Sequence, residues 1–431
     1  MAIVLPLDRV VPPVRPVQYL GSKSRVVAAI TDALPAARPG SRALDLFSGS
    51  SVVAQVLAHS GYAVTAVDAL GFAATLARAT LGIAASDRDD PELLARTIVA
   101  SAPPVPDLEA AFAVERERER AALRRGDADT LLDQVVEAPE AWPSPGAESN
   151  DVLARLPANG YQYGLATVCY AGTYIGFEQA LETDRVLASI AQAGTAGWSR
   201  DVLVAACLSA VSACAFTAGK HFAQYHRVDV GKRTEFHRRR ILQDRRLQVT
   251  TLFLRAVRCI ASAGRKNAGA HSAVARPVDE FFRDVLEPQQ LIYADPPYTA
   301  QQYSRFYHVL EVLDAGNIPS LQQRSDGTAT RGLYPSGRYL SPFCSRRDAP
   351  GAFQRLLKFA ARHTETFALS YSASRGASTG NSRTVDYEAL VQLCRSSFRR
   401  VRHIDLNHRY RRFNPVQMDS DDRELLLICS Q

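Results

Sequence analysis

The segment from Ala43 to Asp68 constrains the fold of this 431-residue chain more than any other. It reads ALDLFSGSSVVAQVLAHSGYAVTAVD, in which two short apolar runs flank a turn of small residues and a helical pattern. We predict a strand at Ala43–Phe47, a helix at Val52–His59 and a second strand at Tyr62–Val67 that ends at Asp68. The segment therefore predicts a β–loop–α–β unit of an α/β sheet, with acids at the strand ends.

Strand patterns of the same kind return only in the last third of the chain. A buried strand is predicted at Leu291–Ala294, ending at Asp295. A later strand is predicted at TFALSYS, and a last one, which closes the chain, at RELLLICS. The stretch between is helical by composition and spacing, and Arg238–Ile260 is typical of one strongly basic helix. We predict an α/β sheet interrupted by a helical insertion of about 200 residues, far longer than an ordinary connection.

Arginine dominates the basic residues and is unevenly placed along the chain. Only five of the 51 basic residues are lysines. Residues 87–148 carry 15 acids against seven arginines, whereas residues 225–266 carry 12 basic residues against three acids. A segment this basic predicts a polyanionic partner, with nucleic acid ahead of an acidic membrane.

Composition and pattern argue against several classes of protein. The chain has no run of about 18 apolar residues, so we expect no transmembrane helix. Its amino terminus lacks the basic start and apolar core of a signal peptide, which favours a cytoplasmic location. The seven cysteines are dispersed without a CxxC pair, so we predict neither a disulfide framework nor a metal site.

Four short motifs fall in one order along the chain. YLGSK occupies Tyr19–Lys23, DLFSGSS occupies Asp45–Ser51, Asp68 ends the next strand, and DPPY occupies Asp295–Tyr298. With these motifs the chain resembles the Dam-type adenine-specific DNA methyltransferases, which use S-adenosylmethionine. The resemblance covers roughly residues 16–70 and 275–310, with weaker echoes in FALSYSAS and DDRELLLI.

The resemblance implies a fold and a division of the chain. The fold is a Rossmann-like class I methyltransferase sheet with a large, mainly helical insertion. Residues 1–75 and 270–431 are then the catalytic domain, and residues 76–269 are the DNA target-recognition domain.

The resemblance also implies a cofactor site for S-adenosylmethionine. An acid at the end of the second strand can accept hydrogen bonds from ribose hydroxyls, and a glycine turn lets a ligand approach the backbone. Asp279 is a candidate for the adenine edge of the cofactor, with a helix-cap role as the alternative. The cofactor-binding set is Tyr19, Lys23, Asp45, Phe47, Gly49, Asp68, Asp279 and Asp295.

Two positions depart from the family pattern. Ser51 stands where the family has the second glycine of its turn, and Ser22 stands where it has the second glycine of its Gly-Gly-Lys motif. Serine costs more than glycine wherever φ is positive. We therefore expect a somewhat different loop geometry here.

The DPPY motif suits chemistry on an exocyclic amine. Such an amine is a poor nucleophile because its lone pair is delocalised into the ring, and two fixed acceptors would pull its nitrogen toward tetrahedral geometry. Asp295 and the Pro296 carbonyl are these acceptors, Pro297 stiffens the turn, and Tyr298 stacks on a base flipped out of the duplex. These four residues are the predicted catalytic set.

Double-stranded DNA is the predicted partner, and its contacts are read from basic and aromatic clusters. Phosphate contact by a basic helix competes with a solvated helix face. A partner nuclease or other defence proteins stay open as further partners, and so does the oligomeric state. The predicted DNA contacts are Arg238, Arg239, Arg240, Arg245, Arg246, Tyr303 and Arg305.

Amino-methylation is compatible with three substrates. The leading expectation is transfer to the 6-amino group of adenine at a specific DNA site, in restriction–modification or phage defence. The alternatives are the 4-amino group of cytosine in DNA and an amino group of ribosomal RNA. Methylation of cytosine carbon 5 is disfavoured because no cysteine follows a proline.

Overall fold

A computed structural model describes residues 13–85, 90–102, 105–138, 164–284, 286–317, 319–372, 383–409 and 423–431. Within these residues seven strands form one sheet in the order β3-β2-β1-β4-β5-β7-β6. The five strands from β3 to β5 are parallel neighbours, whereas β7 runs antiparallel to both β5 and β6. The strands are β1 (Arg42–Leu46), β2 (Ala63–Asp68), β3 (Ser272–Ala275), β4 (Gln289–Ala294), β5 (Thr364–Ser372), β6 (Arg400–Arg409) and β7 (Arg423–Ser430).

The topology places a crevice at the carboxyl ends of β1 and β4. The chain runs from β1 outward to β2 and β3 and then returns to β4 on the other side of β1. Leu46 at the end of β1 pairs with Ala294 at the end of β4 and with Val67 of β2. Open α/β sheets bind ligands where the strand order reverses in this way. The turn after β1, Asp68 and the DPPY motif therefore meet at one edge.

Helices cover the sheet and form the bulk of the connection between β2 and β3. Their bounds are α1 (Val27–Ala33), α2 (Val52–His59), α3 (Gly71–Leu81), α4 (Pro91–Ser101), α5 (Pro106–Ala111), α6 (Ala113–Arg125), α7 (Ala128–Glu137), α8 (Leu165–Tyr170), α9 (Phe177–Gln192), α10 (Gly197–Cys214), α11 (Glu235–Arg245), α12 (Val249–Asn267), α13 (Val278–Phe281), α14 (Tyr303–Ala315), α15 (Ala349–His363) and α16 (Tyr387–Ser397).

The helical insertion packs directly on the sheet layer. Trp198 of α10 is buried, and its Nε1 donates to the carbonyl oxygen of Ala79 in α3 at 2.9 Å. Gly264 of α12 lies so close to Trp198 that a Cβ atom would come within 2.8 Å of the indole ring. One apolar core therefore joins the insertion to α3 and α14. None of the helices in the described ranges has the length and apolar character needed to cross a membrane.

The predicted elements around the crevice are confirmed, but the basic helix is not continuous. The helix Val52–His59 and the last strand have the predicted bounds, and the others agree to within a few residues. The segment predicted as one helix, Arg238–Ile260, is instead the end of α11 and the start of α12. The break at Arg246–Gln248 lets α12 turn its apolar face, with Phe253 and Val257, into the core.

Candidate active site at the carboxyl ends of the strands

A cleft opens at the carboxyl edge of the sheet, beside the ends of β1, β2 and β4. Its walls come from the segment before α1, the ends of β1 and β2, the start of α13, the DPPY turn, α14 and the loop before α15. A second, smaller recess continues from it beneath the turn after β1. The residues that line the cleft are Tyr19, Leu20, Phe47, Asp68, Ala69, Leu70, Val278, Asp295, Pro297, Gln302, Tyr303, Ser304, Tyr339 and Ser341.

The turn after β1 is built from three left-handed residues. Phe47, Gly49 and Ser51 have φ of 64°, 49° and 57°. A Cβ atom on Gly49 would lie 2.7 Å from the ring of Tyr19, so only glycine fits there. Ser51 takes the left-handed conformation at the start of α2, and its hydroxyl lies 2.9 Å from the Thr80 hydroxyl. Serine therefore adopts a positive φ at position 51, and the difference in loop geometry from the family stays a prediction.

Ser22, the other departure from the family pattern, needs no glycine. Its φ is −52°, an ordinary conformation for any residue. Gly21, immediately before it, has the positive φ of 72°. Here the replacement of glycine by serine costs no backbone strain.

Asp68 closes the turn from the neighbouring strand. The carboxylate of Asp68 is buried and accepts hydrogen bonds from the backbone N–H groups of Gly49 and Leu70, each at 2.9 Å. Burial raises the pKa of Asp68, and these N–H groups oppose the rise. The side chain thus connects the ends of β1 and β2 at the wall of the cleft.

Asp295 shares the cation of Lys23 with a second acid, Glu424. Nζ of Lys23 donates to Oδ2 of Asp295 at 2.6 Å and lies 3.4 Å from Oε1 of Glu424. Lys23 and Glu424 are buried, whereas the Asp295 side chain keeps 20% of its exposure, so a substrate can reach it from the cleft. Burial raises the pKa of Asp295 to about 6, with Lys23 opposing the rise and Glu424 adding to it.

Asp45 lies in the smaller recess with an unused oxygen. It is 1% exposed, and its Oδ2 atom has no hydrogen-bond partner among the described residues. Burial and the nearby charge of Asp295 hold the pKa of Asp45 well above its usual range. A buried carboxylate oxygen without a partner is costly, so this atom marks a place for a donor from outside the chain.

The remaining DPPY residues lie in and beside the cleft. Pro296 is buried, and Pro297 lines the cleft. The Arg383 guanidinium lies over the ring of Tyr298, 4.8 Å from its centroid, and Tyr371 contacts the ring in an edge-on arrangement. Tyr298 therefore lies beside the cleft with one ring face against a cation.

Stacked aromatic rings form the wall opposite the strand ends. The Tyr19 ring stacks parallel on Tyr307 with centroids 4.5 Å apart, and Tyr303 packs on both. The Tyr303 hydroxyl donates to the carbonyl of Leu20 at 3.3 Å. Tyr303, predicted to contact DNA, thus lies within this wall and faces the cleft. Asp279 stands at the start of α13, where its Oδ1 accepts from the Tyr339 hydroxyl at 3.4 Å.

Residues 19–96 and 267–325 match the sequence model of the D12 class N6 adenine-specific DNA methyltransferases. The predicted resemblance is confirmed. The D12 match contains the first three motifs, the DPPY motif and α14, and most of the helical insertion lies outside it. No curated protein and no solved structure matches the chain.

The arginines of α11, which the sequence assigned to DNA, are mostly committed to the protein itself. Arg238 pairs with Asp129 at 3.0 Å, and Arg240 pairs with Asp244 at 2.8 Å. Arg239 is exposed, and so is Arg246, the residue that follows α11. These four lie outside the D12 match.

Arg245 does not fit the predicted phosphate contact. Its side chain is 2% exposed, lies 3.8 Å from the Glu119 carboxylate, and donates to the carbonyl of Thr173 at 3.2 Å. A guanidinium enclosed in this way cannot reach a phosphate on the surface. The prediction for Arg245 is wrong because its helix turns this side chain toward the core.

Several residues of the site were missed from the sequence. Glu424, beside Lys23, lies in the echo DDRELLLI, where an acid that begins a strand gives no sign of burial. Tyr307 and Tyr339 are absent from the predicted cofactor and catalytic residues. The signal that could have found Tyr307 is its four-residue spacing from Tyr303, which places both on one helix face.

Proposed function

We propose that this protein is an S-adenosylmethionine-dependent methyltransferase that modifies the 6-amino group of adenine in DNA. The D12 match supports amino-methylation of adenine in DNA. The observation that carries the proposal is the position of Asp295, which stands at the end of β4, partly exposed, on a cleft that Asp68 and the Gly49 turn also line. The strand order, with its antiparallel β7 between β5 and β6, favours a Rossmann-like class I methyltransferase sheet.

The residues present fit S-adenosylmethionine. Gly49 lines the smaller recess, and Asp68 offers a carboxylate on the cleft for ribose hydroxyls. The Oδ2 atom of Asp45, which has no hydrogen-bond partner in the described ranges, suits the ammonium group of the methionine part. When bound, the cofactor supplies an electrophilic methyl group on a sulfonium. The acid-rich recess would stabilise that positive charge.

Asp295 and the Pro296 carbonyl are proposed to accept hydrogen bonds from the target amine and to aim its lone pair at the methyl group. Asp295 must be ionised to accept in this way. The ammonium group of Lys23, held within 2.6 Å, keeps the carboxylate ionised against the cost of burial and fixes its orientation. Lys23 is therefore assigned a positioning role beside the cofactor role that the motif implies.

The target base must leave the duplex to reach Asp295, because the carboxylate lies inside the cleft. We propose that the flipped adenine stacks on Tyr298 in place of the Arg383 guanidinium, which covers one face of that ring. Both a planar guanidinium and a base suit this face of the ring.

The test is transfer of a labelled methyl group from S-adenosylmethionine to unmethylated DNA and, separately, to total RNA. Mass spectrometry of the digested nucleosides identifies the product, and Asp295→Ala provides the control for the site. Label recovered as 6-methyladenine in DNA supports the proposal. Label recovered as 4-methylcytosine or in RNA keeps the chemistry and overturns the substrate, and the absence of label with both substrates overturns the proposed activity.

A further inference from the structure

Two arginines hold one tyrosine ring between α14 and the loop before α15. The guanidinium carbons of Arg305 and Arg338 lie 5.0 Å and 5.5 Å from the centroid of the Tyr334 ring. Nη2 of Arg305 also donates to the Tyr334 hydroxyl at 3.0 Å. The Tyr334 ring therefore holds the guanidinium groups of Arg305 and Arg338 close together. Without it, their like charges would keep these flexible side chains apart.

No anion balances these two charges within the part of the chain that the structure describes. Neither Arg305 nor Arg338 forms an ion pair there, in contrast to Arg238 and Arg240 of α11. The Nε atoms of both arginines are buried and have no hydrogen-bond partner among the residues that the structure describes. Burial and the adjacent Arg305 lower the pKa of Arg338, a sign that the two guanidinium groups repel each other. Both features would be relieved by an anion.

The pair stands at the mouth of the cleft. Nη1 of Arg338 donates to the Ser304 hydroxyl at 3.1 Å, and that hydroxyl donates to the Tyr339 carbonyl. Ser304 and Tyr339 both line the cleft. The pair is thus connected through one hydroxyl to the place where the proposed function puts the target base.

Further basic residues continue the same surface. A small hairpin, joined by bridges from Leu321 to Pro335 and from Gln323 to Ala329, carries exposed Arg324 and Arg331. Arg331 donates to the backbone carbonyl of Arg227 at 3.4 Å, which brings a third segment to this surface. The acid nearest to Arg324 on the hairpin, Asp326, accepts from Thr328.

We propose that Arg305 and Arg338, set on Tyr334, bind a backbone phosphate of the DNA strand that carries the target base. The inference rests on the proposed function and adds the point at which the strand is held. Guanidinium groups match phosphate oxygens in a planar, two-bond geometry, and a phosphate between the two would cancel their repulsion. Contacts of this kind set the position of the strand and leave the reading of its bases to other residues.

The experiment compares the full-length protein with Arg305→Gln, Arg338→Gln and the control Arg362→Gln. Arg362 is exposed in the last turn of α15, immediately before β5 begins, at the edge of the sheet opposite the cleft. Binding to a duplex oligonucleotide is measured over a range of salt concentrations. The slope of log affinity against log salt is expected to fall by about 1 for each of the first two variants and not for the control.

Charge-preserving variants separate phosphate contact from a packing role. Arg338→Lys and Arg305→Lys should restore most of the salt slope if the arginines contact phosphate. If the arginines only pack against Tyr334, the lysine variants should keep the slope of the glutamine variants. In the transfer assay the KM for DNA should rise about tenfold in the glutamine variants, the change expected for the loss of one charged contact. The KM for S-adenosylmethionine should stay unchanged.

The outcomes distinguish this inference from the proposed function. Salt slopes equal to that of the wild type in both glutamine variants would overturn the phosphate site, whether or not the protein methylates DNA. A reduced slope in a protein that transfers no methyl group would keep the phosphate site and overturn the activity. A higher affinity for free nucleotide than for the duplex, lost in the same variants, would also overturn the assignment to the DNA backbone.

Discussion

Two clusters of buried charge differ in how completely their charges cancel. In the insertion, Glu119 accepts from the N–H groups of Phe177 and Glu178 and lies against Arg245, whose side chain also donates to carbonyl oxygens. Glu119 and Arg245 form one acid–base pair, although Nη1 of Arg245 has no hydrogen-bond partner among the described residues. This cluster joins α6, α9 and α11.

At the cleft, by contrast, acids outnumber bases among the side chains that the structure describes. Lys23 is shared by Asp295 and Glu424, and Asp45 keeps an oxygen with no partner among the described residues. A balanced buried pair contributes to structure, whereas an unbalanced one costs stability and is typical of a site that awaits a charged ligand. The contrast assigns structure to the first cluster and chemistry to the second.

The largest expected effect is the loss of stability on removing one partner of the balanced pair. Arg245→Ala leaves Glu119 buried without its cation, and we expect a loss of about 3–5 kcal/mol in the free energy of unfolding. Denaturant titration measures this effect, with the exposed neighbour Arg246→Ala as the control. Equal stability of the two variants would show that the Glu119–Arg245 pair does not hold the insertion together.

The corresponding change at the cleft should cost activity instead of stability. Asp295→Asn keeps the shape of the side chain but removes its charge, and we expect kcat to fall about 10²–10³-fold, as for other preorganised hydrogen-bond partners. Its free energy of unfolding should change by less than about 1 kcal/mol, because Lys23 retains Glu424 and one of several crowded acids is neutralised. A large loss of stability with activity retained would reverse the two assignments.

The pH dependence of transfer tests the charge state of Asp295. Because its folded-state pKa is raised to about 6, the carboxylate becomes protonated as the pH falls through that value. We expect the rate to drop below pH 6, by about tenfold per pH unit. The same raised pKa means that the stability this group contributes is present at low pH and is lost as the pH rises through 6.

Lys23→Met sharpens the pH test. Without its cation the Asp295 carboxyl should titrate higher, so the acid limb of the rate profile should move up by about 1–3 pH units. An unmoved limb would indicate that another group controls the profile.

The smallest expected effect concerns the unused oxygen of Asp45. Asp45→Asn should weaken S-adenosylmethionine binding by about 1.5–3 kcal/mol, the usual value of a hydrogen bond to a charged group. Isothermal titration calorimetry measures this directly, with Asp32→Asn, an exposed acid on α1, as the control. Unchanged affinity in Asp45→Asn would contradict the assignment of Oδ2 of Asp45 to the ammonium group of S-adenosylmethionine.

The sequence predicted element bounds best where a segment is buried and its residues are mostly apolar. The helix Val52–His59 and the strand Arg423–Ser430 have the predicted bounds, because each is a nearly continuous run of small and apolar residues. Two strands were missed for the opposite reason. β3 has only four residues, and β6 alternates basic with apolar residues at the edge of the sheet, where burial imposes little pattern.

The sequence by itself determined the α/β character of the chain, the order of its motifs and the position of Asp295 at a strand end, since all of these depend on neighbours a few residues apart. Only the tertiary structure decided which charges are used up inside the protein. Arg238 meets Asp129, and Lys23 meets Asp295 and Glu424, across separations of a hundred residues or more. An ion pair requires an approach within about 4 Å, and nothing in the local pattern of the chain records which distant partner will arrive.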